Sequence, residues 1–392
     1  MRRWIWQLVL VVACGAWAQS DPAAAAGAAY TVRHYDPRIQ QGIDLIYSLR
    51  YDEAEDYFAD IITTYPDNPV GHFFLAMVAW WRVLIDLEDR SHDEACYALL
   101  EQCIKVCDAR LKRDADDFDA ILFKGGAIGF RGRLRGDRNQ YLKAARDGMR
   151  CLPLLDASQK LEPSNKDILF GQGIYNYFAE VIPERYPVVR PVMWFLQKGD
   201  RQKGIEQLKE VAQSGHYART EAAYFLARIY RVFEKDKYAA QAYLEQLYGR
   251  YPDNALFHRF LARNLVELGQ WKRGVELYEE VIRRSEAGRT GYHLRGHIEA
   301  LYHLGKFALY RYQLNLAETR FAAAGRLGAA LDHPQENAFA VMARLMLGMA
   351  YDAQGKRQEA LVCYEQVKGM EEHGDSRKLA RKYLKEPYRG QR

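Results

Sequence analysis

Few side chains in this sequence have types and spacings that could bind a metal or support catalysis. His293 and His297 lie four residues apart, the helical spacing at which two imidazoles can hold one ion, and His303 follows them. No Glu follows His293 as in the motif His-Glu-x-x-His, and six residues separate His297 from His303. The pattern therefore favours ordinary core or solvated histidines, and a metal-dependent enzyme is the minority hypothesis.

Three further motifs are better explained by structure than by chemistry. Gly171-x-Gly173 lacks the third glycine of a phosphate-binding loop, so helix packing explains it better. The acidic run from Asp114 to Asp119 is typical of helix capping. The basic segment from Arg131 to Arg138 is more often an exposed turn, which we favour, than an anion-binding site, which is the alternative. No nucleophile elbow or Walker loop occurs in the sequence. We therefore predict no enzyme activity, no metal and no cofactor.

The cysteines indicate core thiols rather than a disulfide framework. Besides Cys14, the sequence contains Cys96, Cys103, Cys107, Cys151 and Cys363. The first three of these recur at intervals of seven and four, so they share one helix face, where residues four apart are poor disulfide partners. We expect buried free cysteines, with a bridge from one of the three to Cys151 as the alternative.

Composition and charge predict a folded protein that does not bind nucleic acid. The 392 residues are 49% hydrophobic and 13% aromatic, which is enough to build a core. The formal net charge of +5 matches the excess after residue 374, where seven Lys and Arg residues face Asp375 and Glu386. The rest of the chain is close to neutral and lacks the clustered basic stripe that phosphate binding needs.

Residues 1–18 have the three parts of a secretory signal peptide. Arg2 and Arg3 precede an apolar run from Trp4 to Ala13, which is too short to span a bilayer. Ala16-Trp17-Ala18 then forms a cleavage site with small residues at both ends. We therefore expect an exported protein, in a bacterial periplasm or associated with the outer membrane.

A second cleavage site competes with the first. Val11-Val12-Ala13-Cys14 resembles a bacterial lipobox, in which the signal ends at residue 13 and Cys14 becomes lipidated. Cleavage after Ala18 is favoured because the first residue of this lipobox is Val rather than Leu. Residues 19–34 are expected to form a flexible linker, since their Ala-rich composition offers little to a core.

Four segments share one spacing of small and aromatic residues. In each segment two small residues lie twelve apart, and an aromatic residue follows four later. The sets are Gly42-Ala54-Phe58, Ala262-Gly274-Tyr278, Gly305-Ala317-Phe321 and Gly348-Ala360-Tyr364. Small residues on two antiparallel helices let them cross closely, and the aromatic ring fills the gap beside the crossing. The spacing predicts a series of antiparallel helix pairs.

The second of these segments resembles the tetratricopeptide repeat (TPR) nearly position by position. The matching residues are Leu261, Ala262, Leu265, Gly269, Trp271, Gly274, Tyr278 and Val281. The step from Ala240 to Gly274 is 34 residues, the TPR length. The turn Tyr65-Pro66-Asp67-Asn68 recurs at Tyr251-Pro252-Asp253-Asn254, and we expect its proline to stop one helix and its Asp or Asn to cap the next. The resemblance implies an all-α fold, a right-handed superhelical solenoid of about eight antiparallel helix pairs.

We expect that solenoid to be continuous over residues 35–386, with a capping helix at Ser376–Leu384 and a basic tail at 387–392. Within it, Gly171 to Phe178, a proline-broken segment, and Gly199-Asp200-Arg201 with Gly204 resemble a signature of the fungal inclusion-body clearance family of TPR proteins. That resemblance implies a helical-repeat fold and carries over no activity.

The proline-broken segment, residues 182–196, combines three prolines with large apolar side chains. The apolar residues are Tyr186, Val188, Val189, Met193, Trp194 and Phe195. These side chains either fold back into the groove, which we favour, or form a patch for a membrane or a partner. Membrane association through this segment or through a lipidated Cys14 is therefore an alternative function.

A TPR-type solenoid presents a groove that normally holds an extended or helical peptide. The repeat register predicts groove positions at Phe225, Arg259, Arg263, Tyr302, Lys306, Tyr310 and Met349. Arg and Tyr are good interface anchors, and this mixture favours a protein or peptide partner with acidic and apolar groups. It differs from the Lys and Asn set of chaperone-binding TPR domains. We predict an exported scaffold that binds a protein or peptide.

Overall fold

The structure, a computed structural model, describes residues 37–185, 198–331 and 337–390. Within those ranges every regular element is a helix, and within each of the two compact units described below successive helices pack as in a TPR-like solenoid, which confirms the predicted all-α fold. The predicted signal peptide with Cys14 and the linker 19–34 lie outside the described residues. The same holds for the predicted apolar patch of Tyr186, Val188, Val189, Met193, Trp194 and Phe195.

The chain divides into two compact units, with the boundary between Glu234 and Lys235. The helices described in the first unit are α1 (Pro37–Tyr47), α2 (Tyr51–Thr64), α3 (Pro69–Ile85), α4 (Asp93–Leu111), α5 (Phe118–Asp137), α6 (Tyr141–Leu161), α7 (Ile168–Arg185), α8 (Arg201–Ser214) and α9 (Arg219–Arg228). A π-helical turn over Ile229–Glu234 continues α9. The single continuous superhelix over 35–386 stays a prediction.

The helices described in the second unit are α10 (Lys237–Arg250), α11 (Ala255–Glu267), α12 (Trp271–Glu286), α13 (Leu294–Tyr310), α14 (Leu314–Ala329), α15 (Ala338–Ala353), α16 (Arg357–Gly369) and α17 (Ser376–Lys385). The last of these, α17, is the capping helix that the sequence predicts. Within the unit each helix packs against the next one, because the short connections between them force neighbouring helices to be antiparallel.

Asparagine side chains at the duplicated turn fix where two helices begin. Asn68 accepts a hydrogen bond from the backbone N–H of Val70 at the start of α3, and Asn254 accepts from Leu256 and Phe257 at the start of α11. Each bond satisfies a backbone donor that has no partner inside its own helix. The predicted role of the turn, to stop one helix and cap the next, is confirmed.

Three of the four predicted crossings join a glycine to an aromatic ring sixteen residues later. A Cβ built on Gly305 would lie 2.6 Å from the ring of Phe321, and one built on Gly348 would lie 2.6 Å from the ring of Tyr364. Gly42 meets Phe58 in the same way. The three rings are fully buried, so the glycines leave the space that the rings occupy. The predicted spacing therefore corresponds to real helix crossings.

Candidate functional site

The predicted groove residues fall in both units. Phe225 lies on α9 in the first unit, where it is buried against Phe170 with ring centroids 5.5 Å apart. The other six lie in the second unit, on α11, α13 and α15. Because these three helices are the first helices of successive pairs, their exposed sides are the natural place for a groove in that unit.

A buried carboxylate gathers two of the predicted arginines. Glu299 on α13 is 1% exposed and accepts hydrogen bonds from Arg259 Nη1 at 3.4 Å and from Arg263 Nε at 2.7 Å. Arg263 Nη2 donates a second, short bond, and the hydroxyl of Tyr278 donates at 3.0 Å. Burial by itself raises the pKa of Glu299, but Arg263 and Arg259 outweigh it and lower the pKa from 4.5 to about 2.

This cluster changes what the two arginines can offer a partner. Their guanidinium groups are already paired inside the chain, so they serve the fold as well as the surface. Two arginines facing one glutamate leave one net positive charge. Among the described residues, Nε of Arg259 is also a buried donor without a hydrogen-bond partner.

Phe339 is the point where the three helices meet. The guanidinium carbon of Arg263 on α11 lies 5.2 Å from the Phe339 ring centroid, and the Tyr302 ring on α13 lies 5.5 Å away. Phe339 stands in the first turn of α15, just after the capping residue Asn337. Sequence reasoning missed Phe339 and Glu299, because the small-aromatic spacing says nothing about either position.

Lys306 and Tyr310 extend this surface along α13. Lys306 is half-buried, with Nζ 5.6 Å from the Tyr310 ring, and burial lowers the pKa of its ammonium. Tyr310 is 56% exposed and contacts Trp271 edge to face at 5.8 Å. We name Arg259, Arg263, Lys306, Tyr310 and Phe339 the aromatic–basic face. Tyr302 and Met349, each 9% exposed, contribute mainly packing.

The three histidines of the candidate metal motif are not gathered into a site. His303 stacks on Tyr278 with ring centroids 4.9 Å apart, and burial lowers the pKa of His297. His293 precedes the first residue of α13. In the part of the chain that the structure describes, no group of three or more His, Cys, Asp or Glu side chains is placed to hold a metal ion.

The segment Arg131–Arg138 corrects a prediction. It is not an exposed turn: seven of its residues belong to α5, and Arg131 is 4% exposed. Arg131 Nε donates to Asp147 Oδ2 on α6 at 3.1 Å, and Arg135 pairs with the same carboxylate. Gly132 allows this contact, because a Cβ there would lie only 3.1 Å from the Cβ of Asp147. Gly132 is therefore a crossing position between α5 and α6.

The other sequence motifs have structural roles. Asp117 accepts from the N–H of Ala120 at 3.0 Å and caps α5, which confirms the capping role of the acidic run. Gly173 packs against α8, where a Cβ would lie 3.0 Å from the carbonyl oxygen of Gly204. This confirms helix packing as the role of the Gly171-x-Gly173 motif.

The five cysteines that the structure describes are all buried free thiols. Cys96, Cys103 and Cys107 lie on α4, and no bridge joins them to Cys151, which confirms the expectation of core cysteines. Burial raises the pKa of the Cys96 and Cys151 thiols to about 12. Thiols with such a high pKa are poor nucleophiles, so Cys96 and Cys151 are unsuited to act as reactive centres.

None of the described helices is both long enough and apolar enough to cross a membrane.

Comparison with known proteins gives two matches to sequence models of the tetratricopeptide repeat, over residues 235–287 and 342–369. No curated protein sequence matches the chain.

Several solved helical-repeat structures align with most of the chain at low identity. A structure of human IFIT1 as a dimer with PPP-AAAA is 15% identical over 84% of this chain and 71% of its own, with a TM-score of 0.46. The TPR domain of P58(IPK) is 14% identical over 90% of this chain and 88% of its own, at 0.27. Yeast Tom70 is 9% identical over 89% of this chain and 87% of its own, at 0.37. On the two sequence-model matches, the second unit of this chain contains tetratricopeptide repeats.

Proposed function

We propose that this protein is an exported scaffold that binds a protein or peptide partner on the aromatic–basic face of its second unit. The observation that supports this is the meeting of Arg263, Tyr302 and Phe339 from the first helices of three successive pairs. The half-buried Lys306 and the exposed Tyr310 lie further along the same helix, α13. Arginine and tyrosine beside aromatic rings are the residue types that anchor protein interfaces.

The charge of this face favours a partner segment that combines an acidic group with a large apolar side chain. The cluster of Arg259, Arg263 and Glu299 keeps one net positive charge, and Lys306 adds a second. Burial lowers the pKa of the Lys306 ammonium, and a carboxylate placed beside it would raise that pKa back toward its usual range. An apolar side chain would pack on the rings of Phe339 and Tyr310.

Export is the second part of the proposal. It is supported by the arginines, the short apolar run and the Ala-x-Ala cleavage site of residues 1–18. The mature protein would be released into a bacterial periplasm or held at the outer membrane through a lipidated Cys14. A relationship to the fungal inclusion-body clearance family, based on residues 171–205, stays a prediction.

The binding proposal is best tested away from the two arginines. Removing Arg259 or Arg263 would leave the buried carboxylate of Glu299 short of a partner, at a cost of about 3–5 kcal/mol, so lost binding would be ambiguous. Lys306 has no ion-pair partner within the hydrogen-bond and salt-bridge distances among the described residues, and Tyr310 is exposed. These two positions can be changed without disturbing that cluster.

The experiment is peptide-display selection on the purified full chain, followed by affinity measurement of the selected peptides. We expect enrichment of peptides with Asp or Glu next to Phe, Trp or Leu, and about tenfold weaker binding by Lys306→Gln/Tyr310→Ala. The matched control is Lys272→Gln/Tyr238→Ala, which changes one exposed lysine and one exposed tyrosine in the same unit. Enrichment of basic peptides, or equal binding by both double variants, would overturn the proposal.

Export is tested separately by cell fractionation. The full chain should reach the envelope and a chain without residues 1–18 should not. Cys14→Ser separates the two cleavage sites: the variant should remain exported but lose membrane association only if Cys14 is lipidated. Retention of the full chain in the cytoplasm would refute export and leave peptide binding to be judged on its own result.

A further inference from the structure

The first unit contains a cavity of about 220 Å³ between its helices. Its wall is mainly apolar and includes aromatic rings from α3, α5, α7 and α9. The principal rings are Phe73, Phe74, Trp81, Phe123, Phe170 and Phe225. Such a lining is typical of sites that take up the apolar body of a small molecule.

Two carboxylates, Asp167 and Glu221, line this mainly apolar cavity. Asp167 accepts hydrogen bonds from three backbone N–H groups, so Glu221 is the one left short of partners. Glu221 on α9 is 6% exposed, and its Oε1 accepts hydrogen bonds from Trp81 Nε1 at 3.0 Å and from the Tyr47 hydroxyl at 3.2 Å. Its second oxygen, Oε2, has no hydrogen-bond partner among the described residues. Burial raises the pKa of Glu221, against the opposing effect of Arg133. A buried acceptor left in this way costs stability unless something binds to it.

The cation beside Glu221 is Arg133, and one of its donors also lacks a hydrogen-bond acceptor among the described residues. Arg133 Nη1 lies 4.0 Å from Glu221 Oε2, which is too far for a hydrogen bond, and it is a buried donor with no acceptor in the described part of the chain. The guanidinium is held over the rings of Trp80 at 4.6 Å and Phe225 at 4.8 Å. Those contacts fix its position, so the gap between the two side chains is built into the packing.

The gap fits one oxygen atom that can both donate and accept. A hydroxyl oxygen about 2.8 Å from each of two atoms 4.0 Å apart can accept from Arg133 Nη1 while donating to Glu221 Oε2. If Glu221 is protonated, the same hydroxyl can accept from both groups, since it has two lone pairs. A methyl group in that place would leave both polar atoms without partners.

The size of the cavity limits the rest of the ligand. A cavity of about 150 Å³ holds one benzene molecule, so about 220 Å³ holds roughly nine non-hydrogen atoms. We propose that this cavity binds a small neutral alcohol or phenol, whose ring or short chain packs among the aromatic residues and whose hydroxyl bridges Arg133 and Glu221. This site is in the first unit and is independent of partner binding by the second.

The test uses 2-phenylethanol and propylbenzene, which differ by the exchange of the hydroxyl for a methyl group. Ligand-observed saturation-transfer NMR on the full chain should show binding of 2-phenylethanol, and propylbenzene should bind about tenfold more weakly. Equal binding of the two, or no binding of either because water alone occupies the gap, would overturn the proposal.

A tyrosine side chain of a partner protein carries the same ring and hydroxyl as a free phenol. A third probe therefore separates binding of a small molecule from binding of a partner's tyrosine. The blocked tripeptide Gly-Tyr-Gly should bind more weakly than 2-phenylethanol, because its backbone does not fit a cavity of this size. Tighter binding of the tripeptide would show that the cavity recognises a partner's side chain and would overturn the small-molecule proposal.

A cavity-filling variant locates the binding. Gly129 lines the cavity, and a Cβ there would make only an ordinary 3.6 Å contact with Cys151 Sγ, so Gly129→Leu should fold and should abolish 2-phenylethanol binding. Gly249→Leu is the control, since Gly249 is an exposed helix residue with open space around it. Both changes favour the helix, so circular dichroism should show both folded. Unchanged binding by Gly129→Leu would place the ligand elsewhere and refute the assignment.

Discussion

Replacing Glu299 with Gln should make the free energy of unfolding of the second unit much less dependent on pH. The folded chain lowers the pKa of Glu299 from 4.5 to about 2, so the ionised carboxylate stabilises the fold above pH 4.5. At about 1.4 kcal/mol per unit, this shift corresponds to about 3 kcal/mol, of which about 2 kcal/mol is lost by pH 3. Glu299 is 1% exposed, so solvent screening reduces this figure little.

The measurement is urea unfolding of the full chain and of Glu299→Gln at pH 7, 4.5 and 3, followed by circular dichroism. At pH 7 the variant should be less stable by about 3–5 kcal/mol, because Arg259 and Arg263 lose their buried partner. The difference in free energy of unfolding between the full chain and the variant should decrease by about 2 kcal/mol at pH 3.

The control for this prediction is Glu245→Gln. It removes the ion pair with Arg273 at the surface of the same unit and should cost less than about 1 kcal/mol at pH 7. A gap between the full chain and Glu299→Gln that stays constant from pH 7 to 3 would refute the assignment of a strongly lowered pKa to this carboxylate.

Three further predictions concern the first unit and the thiols. Gly204→Ala should lower the free energy of unfolding by about 1–3 kcal/mol, because its Cβ would lie 2.5 Å from the Tyr177 backbone nitrogen. The control Gly249→Ala has open space around its Cβ and should not lower it, and urea unfolding measures both. Asp167→Ala should cost about 1–3 kcal/mol in the same assay, since its carboxylate accepts from the backbone N–H groups of three consecutive residues, 216–218; a change under 0.5 kcal/mol would contradict this. The five buried cysteines should react with a thiol reagent only after denaturation, and rapid labelling of any of them in the native chain would show that its burial is wrong.

The sequence predicted the features that depend on nearby residues. Gly305 and Phe321 are sixteen positions apart on two adjacent helices, so one spacing describes both the crossing and the ring that fills it. The capping role of Asn68 and Asn254 is equally local, since each side chain bonds within three residues of itself. Local patterns of this kind recur at several places along the chain, which makes them visible without a structure.

Features that depend on distant partners were not predicted. Arg259 and Arg263 were identified as groove residues, but their pairing with Glu299 joins positions 36 to 40 residues apart and follows no repeated spacing. Arg133 was assigned to an exposed turn because it lies in a run of basic residues, and Glu221 was not singled out at all. Only the packing of α5 against α6 and α9 shows that these residues are buried and that a cavity lies beside them.

The joint between glycine and aromatic ring also bears on how such a chain can lengthen. Gly42 with Phe58, Gly305 with Phe321 and Gly348 with Tyr364 are the same complementary pair, each held entirely within one helix pair. A gene duplication that copies one helix pair therefore copies both halves of its joint at once. The two helices of the duplicated pair already pack against each other, and only their contacts with the neighbouring pairs have to adapt.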